Sequence, residues 1–313
     1  MRYFIGPMSK NVVDAVLEHD SEFVFIPSRR QIDYDCGYVN NWSTEEFSRY
    51  VGGRALIQRD HGGPSQGSKN DDGIDSFLED AKFFNSIHID PWKAHTDIES
   101  GIESTINSIN LVYSINDKVK FEVGTEESIR SFSTSETLHL MSQLEKKLKA
   151  NVFDNIEYVV VQSGVGLDLR SQKNTGKFNC DRLESMISIS KKFGKKSKEH
   201  NGDFLTSDEY ISRFEAGLDS INIAPEFGQI ETQCYLAEIS PDIEEYYQIC
   251  YNSGRWKKWV SQEFDPKKNK EDLIKICGHY IISNPEFAKI KPDIDEKIKQ
   301  RIKEKLTMLS SLT

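Results

Sequence analysis

Short apolar runs rich in Val, Ile, Phe and Tyr recur along the first three quarters of the chain. Each is followed by a polar turn and then by a longer segment whose apolar residues return at helical spacing. The runs at 3–6, 22–27, 55–59, 86–90, 119–123, 158–162, 195–199 and 220–224 predict eight strands. Helices are predicted between them at 11–18, 44–51, 73–84, 96–107, 135–150, 180–193 and 207–216. Ser43 with Glu46 forms a capping pattern for one of these, and Ser135 and Ser207 are plausible starts for two others. Alternating strands and helices, with strands apolar on both faces, point to a parallel sheet. Eight such units point to closure, so the fold class is α/β, a (β/α)8 TIM barrel, with an open doubly wound sheet as the competitor.

The rhythm stops near residue 228. The chain then reads as helices at 230–236, 243–251, 270–282 and 293–309. The expected organisation is a barrel over 1–228 and a helical C-terminal extension over 229–313 packed on it. The stretch 61–75, rich in Gly, Ser and Asp and poor in apolar groups, is expected to be a mobile loop.

Charge changes this picture mainly by exclusion. A formal net charge of -10 and a pI near 5.3 argue against a general nucleic-acid binder, which would present a basic face. The basic runs at 191–192, 195–198 and 267–270 read as solvated surface. Five widely spaced cysteines without a Cys-x-x-Cys pair suggest neither a disulfide framework nor a zinc knuckle, so a reducing, cytoplasmic setting is expected. The first residues carry too short an apolar run for a signal peptide, and no stretch is long enough to span a membrane.

In a barrel, reactive groups belong at the C-terminal ends of the strands, and here those ends are polar. They carry Gln31 and Asp33, Asp60 and His61, His88 and Asp90, Glu126, Gln162 to Gly164, His200 and Gly202, and Asn222. An Asp beside a His, where a strand meets a glycine turn, suits a divalent metal with an adjacent proton acceptor; a capping Asp and a surface His is the alternative. His88 fits equally well a hydrogen-bonded core pair, with Asp90 nearer the mouth. Arg29 and Arg30 suit either an oxyanion clamp or a surface turn. A Schiff-base lysine among Lys195, Lys196 and Lys198 would have to point inward and be desolvated, whereas their clustering speaks for solvent. The other histidines, His19, His95, His139 and His279, lie away from strand ends and are assigned no function.

These motifs, in their order, resemble class II ketose-bisphosphate aldolases. They resemble more closely the tagatose-bisphosphate aldolase subunit usually called non-catalytic, the GatZ/KbaZ family. The matching pieces are Gln31-Ile-Asp33, Asp60-His61, His88-Ile-Asp90, Gly124-Thr-Glu126, Gln162-Ser-Gly164, Glu199-His200 and Asn222-Ile-Ala-Pro225, with Gly254-Arg-Trp-Lys-Lys-Trp259 in the tail. The resemblance implies a divalent metal, zinc above all, held by His61 and His200, with Glu126 as a further ligand or a proton carrier. It implies Asp60 as the acid/base at the C4 oxygen. Gln31, Asp33, Asp90, Gln162, Ser163, Gly164, Gly202 and Asn222 are implied as substrate contacts, Ser163, Gly164 and Gly202 through backbone amides around a phosphate. Where catalytic class II aldolases carry another metal-binding His after the sixth strand, this chain has Gln162. The implied chemistry is retro-aldol cleavage or C4 epimerisation of a ketose or ketose phosphate. The alternative is a barrel without turnover that activates a separate aldolase subunit. A small-molecule sugar ligand and a homo-oligomer are the expected partners, without nucleic acid or membrane.

Overall fold

The computed structural model describes residues 2–312. Numbered in chain order, β1 (Arg2–Ile5), β2 (Val24–Phe25), β3 (Leu56–Gly62), β4 (Ser86–Ile89), β5 (Lys120–Val123) and β6 (Ile156–Val161) lie parallel. A hairpin follows, formed by β7 (Val165–Asp168) and β8 (Lys173–Gly176). After it β9 (Lys196–Glu199) and β10 (Ser220–Ile223) complete the sheet, and β10 pairs with β1 to close an eight-stranded barrel. All eight predicted strands are the barrel strands.

The helices α1 (Lys10–Leu17), α2 (Thr44–Val51), α3 (Ile74–Phe83), α4 (Ile98–Ile115), α5 (Thr134–Lys147), short α6 (Ala150–Phe153), α7 (Cys180–Lys192) and α8 (Ser207–Glu215) alternate with the strands. Ser43 and Glu46 close the capping box read from the sequence. Two other starts lie earlier than expected, because Ser133 with Glu136 and Thr206 with Glu209 form the boxes, rather than Ser135 and Ser207. α4 runs on past residue 107 because Ile109 and Val112 continue its buried stripe.

Side chains alternate across each strand, so Ile87, Ile89, Phe121 and Val123 face the helices while His88 and Glu122 face the barrel axis. One layer of the interior is apolar, with Phe4, Val24, Ile26 and Tyr158 in a cluster of their own. The expectation of strands apolar on both faces fails above it, where Gln58, His88, Glu122, Lys198 and His200 are all buried. Glu122 takes contacts from Gln58, Lys198 and His200, and His88 donates to the Gly124 carbonyl.

Five further helices make the C-terminal extension: α9 (Pro225–Ile239), α10 (Glu244–Ser253), α11 (Lys270–Cys277), α12 (Pro285–Ala288) and α13 (Asp295–Ser310). Position 228 lies inside α9, which passes the end of β1: Gly228 meets Met8, and Glu231 accepts hydrogen bonds from Ser9 and Asn11. α13 packs along α1 and α9, burying Ile298, Ile302, Leu306 and Leu309. Its Met308 lies against Ser207 and its Lys305 over the Tyr210 ring, so it stands in the outer ring between α8 and α1. Among the described residues no helix is long and apolar enough to cross a membrane.

Candidate active site

The end of β3 departs from strand geometry. Register with β4 shifts between Arg59 and Gly62, and His61 has φ of 47°, a left-handed conformation rare outside glycine. Regular alternation would send Asp60 inward and His61 outward; the bulge turns both toward the mouth. Arg59, on the outer face, anchors the irregular segment. It pairs with Asp80 of α3 through Nε and Nη2 at 2.9 and 2.7 Å, and it donates to the carbonyls of Pro27 and Ile32 and to Thr44 Oγ1.

Three histidines meet there, His61 from β3, His88 from β4 and His200 just after β9. Their ring centroids are 5.0, 5.1 and 5.1 Å apart, a nearly equilateral triangle. On each ring one nitrogen is fixed from behind. His61 Nδ1 meets Asp90 Oδ2 at 2.6 Å, His88 Nε2 donates to the Gly124 carbonyl at 3.0 Å, and His200 Nε2 meets Glu122 Oε1 at 2.7 Å. The remaining nitrogens face Asp60: His88 Nδ1 and His200 Nδ1 are each 4.0 Å from its Oδ1, and His61 Nε2 is 3.7 Å from its Oδ2. Ligand atoms from Asp60, His61, His88 and His200 all lie within 4.8 Å of one another. Outer nitrogens are bonded to carboxylates or a carbonyl and inner nitrogens converge, although His88 Nδ1 also accepts the His61 backbone N–H at 3.3 Å; that is how oriented metal ligands look, so the donor set fits a divalent cation.

No protein-family model matches the chain, and no curated protein sequence is similar to it. Solved structures are. A probable tagatose 6 phosphate kinase from Sinorhizobium meliloti 1021 matches with a TM-score of 0.77 at 14% identity, over 100% of both chains. The YdjI aldolase from Escherichia coli K12 matches with a TM-score of 0.55 at 14% identity, over 98% of this chain and 90% of that one. The fructuronate-tagaturonate epimerase UxaE from Cohnella laeviribosi matches with a TM-score of 0.60 at 12% identity, over 99% of this chain and 81% of that one. This chain has their fold.

Electrostatics divide the three rings. Burial opposes charge on His61, but the carboxylates of Asp60 and Asp90 outweigh it and push its pKa up to about 9. His88 goes the other way: burial lowers it, and the neighbouring rings of His61 and His200 add to the effect against the pull of Glu122 and Asp90. Burial alone would protonate Glu122; Lys198 and the two histidines beside it hold its carboxyl well below the usual range. Glu122 also takes contacts from Gln58 and Lys198. Lys198 therefore corrects the reading of the lysine cluster as solvated. It is fully buried, lies 3.8 Å from the centre of the Phe4 ring, and has a pKa lowered by burial. Its amine is occupied by Glu122 beneath the histidines and is not among the groups lining the cavity, so it is placed for ion pairing rather than for Schiff-base chemistry.

Above the triangle opens a cavity of about 220 Å³. Of the residues singled out from the sequence, Asp60, His61, Glu126, His200, Gln31 and Asn222 line it. Asn222 Nδ2 lies 3.5 Å from Asp60 Oδ1, while its Oδ1 has no partner among the described residues. The others stand back from the cavity. Asp33 pairs with Arg29, and Asp90 positions His61 from full burial. Gln162 is consumed by the backbone, accepting from Phe132 N and donating to the carbonyls of Thr125 and Arg130. Ser163 hydrogen-bonds Glu199, the Gly164 carbonyl accepts from Lys177 N, and Gly202 N donates to the Asn222 carbonyl. Glu126 sits at the rim, with Ser128 Oγ on its carboxylate at 2.6 Å.

Two histidines carry more than the sequence suggested. His88 completes the triangle from β4. His279, assigned nothing, lies buried in the cavity wall. Its only sequence signal is proximity to the Trp256 and Trp259 motif. The loop over 61–75 is tied down by polar rather than apolar groups: Gln66 donates to the Asp90 carbonyl, and Asp71 pairs with Arg29. The segment at 163–179 holds the hairpin, whose Leu167 reaches the cavity.

Proposed function

We propose that the chain is a metal-dependent enzyme acting on a ketose or ketose phosphate by retro-aldol chemistry, in the manner of class II aldolases and related 4-epimerases. The observation that carries this reading is the convergence of three back-anchored imidazoles on one point beside Asp60. His61, His88 and His200 would hold the cation, and their nitrogen donors, with a position left open for substrate, suit zinc. When bound, such an ion supplies Lewis-acid stabilisation of the negative charge that develops on a ketose carbonyl oxygen.

The remaining work belongs to the chain. Asp60, half-buried at the cavity floor, takes the proton of the C4 hydroxyl as the C3–C4 bond breaks and C4 becomes an aldehyde; the bonding pair passes toward C2 and its oxygen. Asn222, with its carbonyl oxygen free, accepts a hydrogen bond from a sugar hydroxyl and fixes the chain beside Asp60. If the aldehyde leaves, C3 of the remaining enediolate takes a proton, delivered by Asp60 or by Glu126 at the rim, and the outcome is cleavage. If it turns and the carbon pair re-adds to its other face, Asp60 returns the proton and C4 is inverted. Both outcomes use Asp60 and the cation; cleavage alone needs the proton at C3.

Metal content of the purified protein tests the reading, measured by elemental analysis for the wild type, His200→Ala and His88→Ala. One equivalent of a divalent ion in the wild type, lost in both variants, is expected. Screening of ketose phosphates for cleavage and C4 inversion follows from that result. No metal in the wild type, even after adding it back, would sink the proposal and leave the barrel as an activating subunit of a separate aldolase.

A further inference from the structure

Cations from three separate segments line the cavity. Arg30 from the loop after β2, Lys93 from the loop after β4 and Lys258 from the extension all line it. Arg29, beside Arg30, is neutralised by Asp33 and Asp71. The other three make no ion pair within 4 Å among the described residues: Lys93 Nζ donates to Gln66 Oε1 at 2.5 Å, Arg30 Nε to the Gly67 carbonyl at 3.3 Å, and Lys258 Nζ sits 4.5 Å from the centre of the Trp259 ring. The carboxylates of Asp90, Glu126 and Asp60 act on Lys93, and that of Glu126 on Lys258, but none of them pairs with either lysine within 4 Å among the described residues. Next to Lys258 lies His279, 1% exposed, with both ring nitrogens unpartnered among the described residues.

Unpaired like charges gathered in one concavity repel one another, and a buried imidazole without partners is costly; both costs vanish when an oxyanion arrives. We infer that Arg30, Lys93 and Lys258, with His279, bind the terminal anionic group of the substrate, a phosphate or a carboxylate, at the end of the sugar remote from the histidine triangle. This rests on the reading of the triangle as the reaction centre, and it makes the extension part of the substrate site. The charge state agrees. Partial burial and the neighbouring charges of Arg30, Lys93 and Arg255 push Lys258 down to about 8, and burial with the charges of Lys258 and Arg255 keeps His279 neutral at about 3. A neutral His279 presents one donor and one acceptor, enough for an oxyanion and the hydroxyl next to it.

Calorimetric titration of the metal-loaded protein with inorganic phosphate and, separately, with D-glycerate tests the site. The wild type is expected to bind at least one of them. Arg30→Ala and Lys258→Ala should each weaken that binding about tenfold, the loss of one charge-assisted contact, with metal content unchanged. Preference for phosphate identifies a sugar phosphate as the substrate class, and preference for glycerate a sugar acid. Wild-type and Lys258→Ala titrations that coincide, or no binding of either anion up to about 10 mM, would overturn the inference. Binding lost in His200→Ala but kept in Lys258→Ala would also overturn it, by placing the anion on the metal. If instead the protein holds no metal yet binds phosphate through Lys258, the anion site stands and the proposed reaction falls.

Discussion

Glu122 does more for the site than any residue that lines it. Fully buried on the barrel axis, it fixes His200 on one side and holds Lys198 on the other. A carboxylate behind a metal-binding imidazole sets its tautomer and orientation, and removing one typically costs about 10–100-fold in metal affinity. Glu122→Gln should therefore bind zinc weaker by about that factor in competition with a chelator, while His200 stays in place. Asp203 tells of another balance. Burial, helped by Glu226, raises its pKa from 3.8 to about 7, although it accepts hydrogen bonds from the Ala224 and Glu226 amides. The folded protein thus keeps a proton that the unfolded chain releases near 3.8, so this group's stabilising contribution is full at low pH and is lost as pH rises through about 7. Asp203→Asn removes that slope. Urea unfolding at pH 5 and pH 8 should show a smaller fall in stability for the variant than for the wild type, and equal falls would refute the assignment.

Elements were legible where a local pattern decides them. The eight strands could be found because their outward faces are apolar and polar turns bound them, and one of the three capping boxes, Ser43 with Glu46, was read from the sequence. The hairpin at Val165–Asp168 and Lys173–Gly176 was not legible. Its strands are short and mostly half-exposed, and its Gln172 turn, with φ of 53°, carries no Asn-Gly signal. The β3 bulge was hidden for a different reason: a left-handed His61 is sustained by Arg59 and Asp80, far apart in sequence. One close approach between elements yields a clean test. A Cβ at Gly101 of α4 would run into the buried Trp92 ring, which packs edge-on against Phe132. Gly101→Ala should cost about 1–3 kcal/mol despite the gain in helix propensity, measured by chemical denaturation, because the ring has nowhere to move.

For the molecule as a whole, the extension both covers helices of the barrel and walls the cavity. α13 buries four aliphatic side chains against α1 and α9 and ties Lys299 and Lys303 to Glu18 at 3.0 and 2.6 Å. Lys258, Trp259, His279 and Tyr280 build one wall of the cavity. A chain ended after Ile294 would expose that stripe and leave α1 uncovered. It should lose cooperative unfolding by near-ultraviolet circular dichroism, whereas an independently folded barrel would keep it. The hairpin is bound into the same unit, since Gln229 donates to the carbonyls of Leu169 and Lys275.

The sequence by itself determined the barrel, its closure in eight units, the helical character of the tail, and the pair Asp60-His61 with His200 at strand ends. Periodicity is a local property, and strand ends are where a barrel must place polar groups. Only the tertiary structure decided which of those groups meet. It brought His88 into the triangle, turned Asp90 and Gln162 to positioning and backbone support, sent Lys198 inward, and carried Lys258 and His279 to the mouth. Convergence of side chains from β3, β4, β9 and the extension is set by the register and closure of the sheet and by one bulge, and no spacing along the chain encodes it.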